Sequence, residues 1–271
     1  MVLGTIGVPF AWWRDSAARL EAAGYAGVWC WDHFTSRGST PKGVLEAWTT
    51  LSGAAAATSR IGIGTLVANV MNHHPAVIAR MASTLQDLSA GRFVLGIGIG
   101  GHAAEHEAYG IPFPDVPERV ARLEEGIAII RALWTGERVS RGGTFYPLQD
   151  AIALPPPDPP PPIIVGGQSA RGARLAARLG DGWTTRPDLL DRLRPTFEEE
   201  LRATGRQRAD AFVLVAWEGG RAGEDALVDG PWISEPGEEL GRWRERGADA
   251  VAIMARTTRD VDALVEAARR W

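Results

Sequence analysis

An α/β fold with eight parallel strands closed into a (β/α)8 TIM barrel is what this sequence predicts. Three observations carry that expectation. Short β-branched runs alternate with longer amphipathic runs along the whole chain. The strand runs are near-continuously apolar, as parallel strands buried on both faces should be. Eight such units occupy 271 residues, and barrels of about 250 residues form one domain. An open doubly wound sheet is the alternative, and the count of units argues against it. The expectation is therefore one domain, residues 1–271, with an insertion at about 136–161 after the fourth strand–helix unit.

The elements follow in order. Residues 3–8 read as strand one and 13–23 as a helix with Trp13, Ala17 and Leu20 on one face, ended by Gly24. Residues 26–31 form strand two, followed by an alanine-rich helix at 45–57. Residues 61–67 form strand three. The helix at 75–89 has Pro75 in its first turn and Val77, Met81, Leu85 and Leu88 along one side. Residues 93–99 form strand four, and a helix near 117–135 gathers Val120, Leu123, Ile127, Ile130 and Trp134. The insertion ends in a proline run from Pro155 to Pro162 that should pack in extended form over the barrel. Strands five to eight are read at 163–165, 182–184, 212–217 and 250–254, with helices at 169–179, 188–204, 236–246 and 259–270.

Composition limits the function classes. Hydrophobic residues make up 45% and charged residues 23%, the mix of an ordinary globule, and the net charge is −4. Without a basic run, nucleic acid and anionic membranes are poor partners. The lone cysteine, Cys30, permits neither an intrachain disulfide nor a paired-cysteine zinc site. The first residues lack a signal-peptide pattern, and no run reaches the roughly 18 apolar residues of a membrane helix. A cytoplasmic location is expected. Eleven tryptophans suit core packing or an apolar pocket.

Barrel enzymes place their chemistry where strands end. Strand two is followed by Trp31-Asp32-His33-Phe34, two titratable groups at the mouth. Capping of backbone groups by Asp32 and His33 is the alternative. After strand three come Asn69, Asn72, His73 and His74. Adjacent histidines point different ways and no acid stands at ligand spacing, so no metal is expected. Helix capping or a solvated loop is expected for His74, and His73 would face a pocket. After strand four, Gly96-Ile-Gly-Ile-Gly-Gly101 would let a flat ligand or a phosphate approach the backbone. It matches a dinucleotide fingerprint only weakly, because no acid ends a following strand. After strand five, Gly166-Gly167-Gln168-Ser169 opens a helix, offering either a phosphate site or a plain N-cap at Ser169.

Together these segments resemble the luciferase-like monooxygenase family from about residue 16 to 186. The carrying stretches are Ala22–Trp29 with Asp32-His33-Phe34, Arg60–Val67 with His74–Ala79, and Leu88–Phe93 with Gly96–Gly101. Further on come Ala108–Phe113, Glu118–Glu125, Ile130–Gly136 and Gly180–Trp183. The resemblance implies a barrel that binds a flavin-type ring at the mouth. The nearest flavour is the branches that use coenzyme F420, with FMN as the alternative cofactor. It implies hydride transfer to or from a small organic substrate, or monooxygenation if the cofactor is FMN. Catalytic roles would fall on His33 and Asp32, which would also sit beside the ring with Thr65, Leu66 and Val67. The Leu66–Val67 bond lies where F420-dependent relatives have a non-proline cis peptide. Gly98, Ile99 and Gly100 would run along the cofactor, and Gly166 and Gly167 would approach its phosphate. F420-dependent sugar-phosphate dehydrogenases carry a glutamate where this chain has Gly101, so His102 and Glu105 become candidates for the general acid. Trp31 and Trp183 would offer an apolar substrate face.

The resemblance also implies a homodimer, through helices beside strands two to four. A non-catalytic barrel that binds a flavin or deazaflavin is the reading from another class. A Schiff-base aldolase is disfavoured because the only lysine, Lys42, lies in a loop. A metal hydrolase would need more His and Asp at strand ends.

Overall fold

The structure is a computed structural model that describes residues 1–36, 40–217 and 227–270, with the side chain of Trp217 excepted. In chain order the elements are β1 (Val2–Leu3), α1 (Phe10–Ala22), β2 (Gly27–Cys30), α2 (Ala47–Ala57), β3 (Gly62–Thr65), β4 (Ala68–Asn69) and α3 (Pro75–Leu88). Then come β5 (Phe93–Gly98), α4 (Ala103–Tyr109), α5 (Val116–Leu133), β6 (Val139–Arg141), β7 (Leu148–Ala151), β8 (Ile163–Gly166), α6 (Ala170–Leu179) and β9 (Gly182–Thr185). The last are α7 (Leu190–Ala203), β10 (Phe212–Trp217), α8 (Pro231–Ser234), α9 (Pro236–Glu245), β11 (Ala250–Ala255) and α10 (Thr258–Ala267).

Eight parallel strands close the expected barrel. The order β3-β2-β1-β11-β10-β9-β8-β5 is completed by pairing of β3 with β5, with Ile63 opposite Phe93 and Gly64 opposite Val94. Closure there is tight. A Cβ on Gly96 would stand 2.0 Å from the Thr65 carbonyl oxygen, so only glycine fits. Beyond Thr65 the chain leaves the ladder through a cis Leu66–Val67 peptide and returns as β4, which pairs again with β5.

The main core lies between barrel and helices. Trp13, Leu20, Leu51, Ile63, Ile78, Phe93 and Phe197 are almost wholly buried there. Cys30, at the end of β2, is fully buried in the same layer. A second cluster fills the barrel interior, with Val2, Leu214, Ala252 and Met254 at its centre and Trp29, Trp31 and Leu66 packed against them. The chain's two ends are stitched together where α1 meets α10: Arg19 pairs with Asp262, and the Tyr25 hydroxyl donates to Leu264.

Four expectations need correction. On α3 the buried stripe is Ile78, Ala79, Ala82 and Leu85, while Val77 and Leu88 are each 47% exposed. The small residues face the neighbouring elements because they permit close approach. The stretch before α5 is not all loop, since α4 forms there. The insertion begins with an antiparallel hairpin of β6 and β7 before its extended proline run. Glu125 on α5 accepts the N–H groups of Thr144, Phe145 and Tyr146 in that hairpin, and Arg80 and Gln86 on α3 donate to the Leu154 and Pro159 carbonyls. Trp183 does not line the mouth. It is fully buried and stacks on Phe197 of α7, with ring centroids 5.0 Å apart.

Glu21, on α1, fixes the start of β3. Its carboxylate accepts the N–H groups of Ser59, Arg60 and Ile61. Burial alone would raise its pKa, but the three donors outweigh it and bring the value from 4.5 down to about 2. A depressed carboxylate contributes stability that is complete above its unfolded value and fades as pH falls toward the folded one. Glu21→Gln should therefore be less stable than the native chain at neutral pH. Urea unfolding should show the gap narrowing as pH falls from 4.5 toward 2.

Candidate functional site

The C-terminal ends of β2, β3, β5 and β8 bring the predicted residues to one end of the barrel. His33 follows β2, and its side chain is 33% exposed. Its Nδ1 lies 3.4 Å from Glu105, while its Nε2 has no partner among the described residues. Glu105 comes from α4, and its side chain is 1% exposed. The same carboxylate accepts the N–H groups of Phe34 and Thr35 and the Thr35 hydroxyl. Burial works to raise its pKa, but those donors and His33 win and hold it below the ordinary value. Glu105 is therefore an ionised carboxylate at neutral pH, suited to orienting an imidazole and ill suited to donating a proton. His102 Nδ1 stands 3.7 Å from the same carboxylate.

Asp32 sits behind this surface and is 4% exposed. Its Oδ2 accepts the Asn69 N–H at 2.9 Å, tying the end of β2 to β4. Its Oδ1 is buried without a hydrogen-bond partner among the described residues. Burial raises its pKa despite the Asn69 donor. The fold also brings Glu46 and His73 to Asp32, with one ligand atom from each within 4.8 Å of the others. Sequence spacing hides this cluster, because α2, β3 and β4 separate His73 from Asp32 and Glu46. His73 does turn inward, with its Nε2 buried and without a partner among the described residues. His74 caps α3, its Nδ1 accepting the Ala76 N–H.

Thr65 is fully buried, and its hydroxyl donates to the Gly96 carbonyl at 2.6 Å. Val67, just past the cis bond, nests among glycines. A Cβ on Gly98 would be 3.0 Å from its Cγ2, and one on Gly166 would be 3.3 Å from it. Leu66 and Val67 thus form a half-buried bulge at the mouth, with Gly96 and Gly98 of β5 and Gly166 of β8 against Val67, while Gly100 packs on Asn69 and Gly167 on Gly172. The Gly167 carbonyl accepts the Trp183 indole N–H. Ser169 caps α6 by accepting the Gly172 N–H, which leaves the first-turn N–H groups of α6 directed outward at the same end.

Two further supports were not foreseen from sequence. Arg119 on α5 is 8% exposed and donates to the Ile99 and Gly100 carbonyls, lying 4.0 Å over the Phe113 ring. His106 on α4 is fully buried, 2.9 Å from Asn69 Nδ2 and 3.0 Å from Asn72 Oδ1. The only available signal was the four-residue spacing of His102 and His106, which puts both on one side of a helix whose existence was missed.

Glu105→Gln keeps the shape and removes the charge. The expected result is a loss of about 1–3 kcal/mol in unfolding free energy at neutral pH. Hydrogen exchange at the Phe34 and Thr35 amides should also speed up. Unchanged exchange would show that the carboxylate does not hold this turn.

Residues 3–217 match the family model described as luciferase-like monooxygenase. An F420-dependent glucose-6-phosphate dehydrogenase of Beutenbergia cavernae is 36% identical over 201 residues, 72% of this chain and 60% of that protein. An F420-dependent hydroxymycolic acid dehydrogenase of Mycobacterium tuberculosis is 34% identical over 208 residues, 73% of this chain and 58% of that protein. This chain therefore spans about three-fifths of the length of these curated relatives. Among solved structures, an F420-dependent secondary alcohol dehydrogenase in complex with an F420–acetone adduct superposes with a TM-score of 0.85. It is 22% identical, and the match covers 100% of this chain and 97% of that one.

Proposed function

Because this chain belongs to the luciferase-like monooxygenase family, we propose that it is a coenzyme F420-dependent oxidoreductase acting on a small organic alcohol or carbonyl compound. The observation that carries this reading is the His33–Glu105 pair at the mouth beside the Leu66–Val67 bulge. The names of the relatives, all F420-dependent, support the cofactor.

The residues present fit such a group. The Leu66–Val67 bulge offers a convex rest for a flat ring. Beside it Gly98 packs against Val67 and Gly100 against the Asn69 amide, so the run from Gly98 to Gly100 would meet the cofactor mainly through backbone. Gly166, Gly167 and the first-turn N–H groups of α6 suit a phosphate, since free N–H groups and the helix dipole favour anions. Asp32 and Thr65 serve from beneath, holding β2, β4 and β5 in register. F420 supplies a carbon that accepts or donates a hydride.

The chain's own part is orientation and proton handling. Glu105 accepts the Nδ1–H of His33, which leaves Nε2 as the basic nitrogen facing the mouth. In alcohol oxidation Nε2 takes the hydroxyl proton; in carbonyl reduction the imidazolium returns it. Glu105 stabilises that imidazolium without giving up a proton. His102 and Trp31 flank the His33 ring, at centroid distances of 6.0 and 6.4 Å. Gly101 leaves open space where sugar-phosphate dehydrogenases resembling this chain carry a glutamate.

Titration with F420 and with FMN, in both redox states, tests the reading. F420 should bind at micromolar concentration or tighter, with FMN binding far weaker. The opposite preference would favour a flavin monooxygenase, and binding of neither would leave only the fold. His33→Ala should still bind F420 but lower turnover of a secondary alcohol by about a hundredfold or more. Unchanged turnover would remove His33 from the chemistry.

A further inference from the structure

The opposite end of the barrel has a cavity of its own, of about 770 Å³. It opens at the N-terminal ends of the strands, where Gly27 begins β2, Gly62 begins β3, Phe212 begins β10 and Ala250 begins β11. Small residues at three of those four starts leave the barrel's end unfilled. Trp29 lines the inner part of the cavity and belongs to the same interior cluster as Leu214 and Leu66. Phe212 is 40% exposed, an unusual state for a phenylalanine on a barrel strand. The volume falls within the range of sites that enclose small organic ligands.

The polar groups in the wall decide what such a ligand carries. Asp181 is engaged by Arg131 and by the Ile163 N–H. Asp249 is engaged by Arg208 and by the Val213 N–H. The buried amino group of Met1 donates to the Gly27 carbonyl. Three side-chain groups are left over among the described residues, the first being the Trp29 indole N–H, which makes no hydrogen bond. Trp232 on α8 is 2% exposed, and its indole N–H has no partner among the described residues. A buried donor normally has an acceptor. Arg244 on α9 is exposed at the rim, and its guanidinium makes no hydrogen bond or ion pair with any described residue. The cavity thus offers an apolar wall, two indole donors and one unmatched cation.

We propose that this cavity is a second binding site, selective for an apolar monocarboxylate of medium chain length. The alkyl chain would lie against Trp29, Leu214 and Phe212, and the carboxylate would meet Arg244 and the Trp232 N–H. The site is separate from the His33 mouth and does not depend on the F420 reading.

Decanoate and decanol, kept below micelle-forming concentrations, are the probes. Each is titrated into the full-length protein, with calorimetry for stoichiometry and tryptophan fluorescence for the environment of Trp29 and Trp232. Decanoate should bind once per chain, about tenfold tighter than decanol, because it adds a charge-assisted hydrogen bond. Arg244→Gln, on the surface of α9, should weaken decanoate about tenfold and leave decanol unchanged. Ala250→Leu, which projects into the void, should abolish both while the thermal midpoint holds or rises. Equal affinity of the native chain for the two probes overturns the carboxylate assignment. Absence of binding, or binding indifferent to both substitutions, overturns the site.

Discussion

The contact between Thr65 and Gly96 is the constraint on which the rest of the barrel mouth depends. β3 and β5 approach so closely there that the Thr65 carbonyl occupies the place of a side chain at position 96. The Thr65 hydroxyl reinforces the junction by donating to the Gly96 carbonyl. Beyond this junction the chain bulges, and Val67 drops among Gly96, Gly98 and Gly166. β4 then resumes pairing with β5 and presents the Asn69 N–H to Asp32. Four strand ends thus take their relative positions from one crowded point. A glycine-rich run that looks like a phosphate loop works first as a packing device.

Charge at the mouth is used sparingly and mostly to hold backbone. Glu105 binds two main-chain N–H groups before it meets His33, and Arg119 binds two main-chain carbonyls from below the glycine run. Both are buried, so each interaction acts where water competes little. The consequence is a rigid rim in which the Glu105 carboxylate fixes His33 through Nδ1 and leaves its Nε2 free. Preorganisation of this kind suits a reaction whose electrons come from a bound coenzyme.

The fold was largely legible because each barrel strand is an apolar run bounded by turn residues, and each long helix has a buried stripe. Strands β10 and β11 and helices α2 and α3 fall within a residue or two of their expected limits. Helix α4 was missed because its sequence, Ala103-Ala-Glu-His-Glu-Ala-Tyr109, has no apolar periodicity; its inward residues are Glu105 and His106, both polar. The role of Glu105 was misread for the same reason, since a candidate proton donor turned out to be a held carboxylate. The Asp32–Glu46–His73 cluster is a product of tertiary structure and leaves no spacing signal. Trp183 was placed at the mouth from its strand, but alternation along β9 turns it outward against α7.

Cys30 occupies a telling position in this arrangement. It is the only cysteine, it is fully buried at the end of β2, and burial pushes its thiol pKa well above the usual value. The neutral thiol cannot meet a reagent while β2 stays in place. The protein therefore contains its own opening gauge: the rate at which a thiol reagent labels the native chain is set by how often the strand leading into Asp32 and His33 comes loose. A ligand that settles the mouth would slow that labelling, with no need for a dye, a tag or a known substrate.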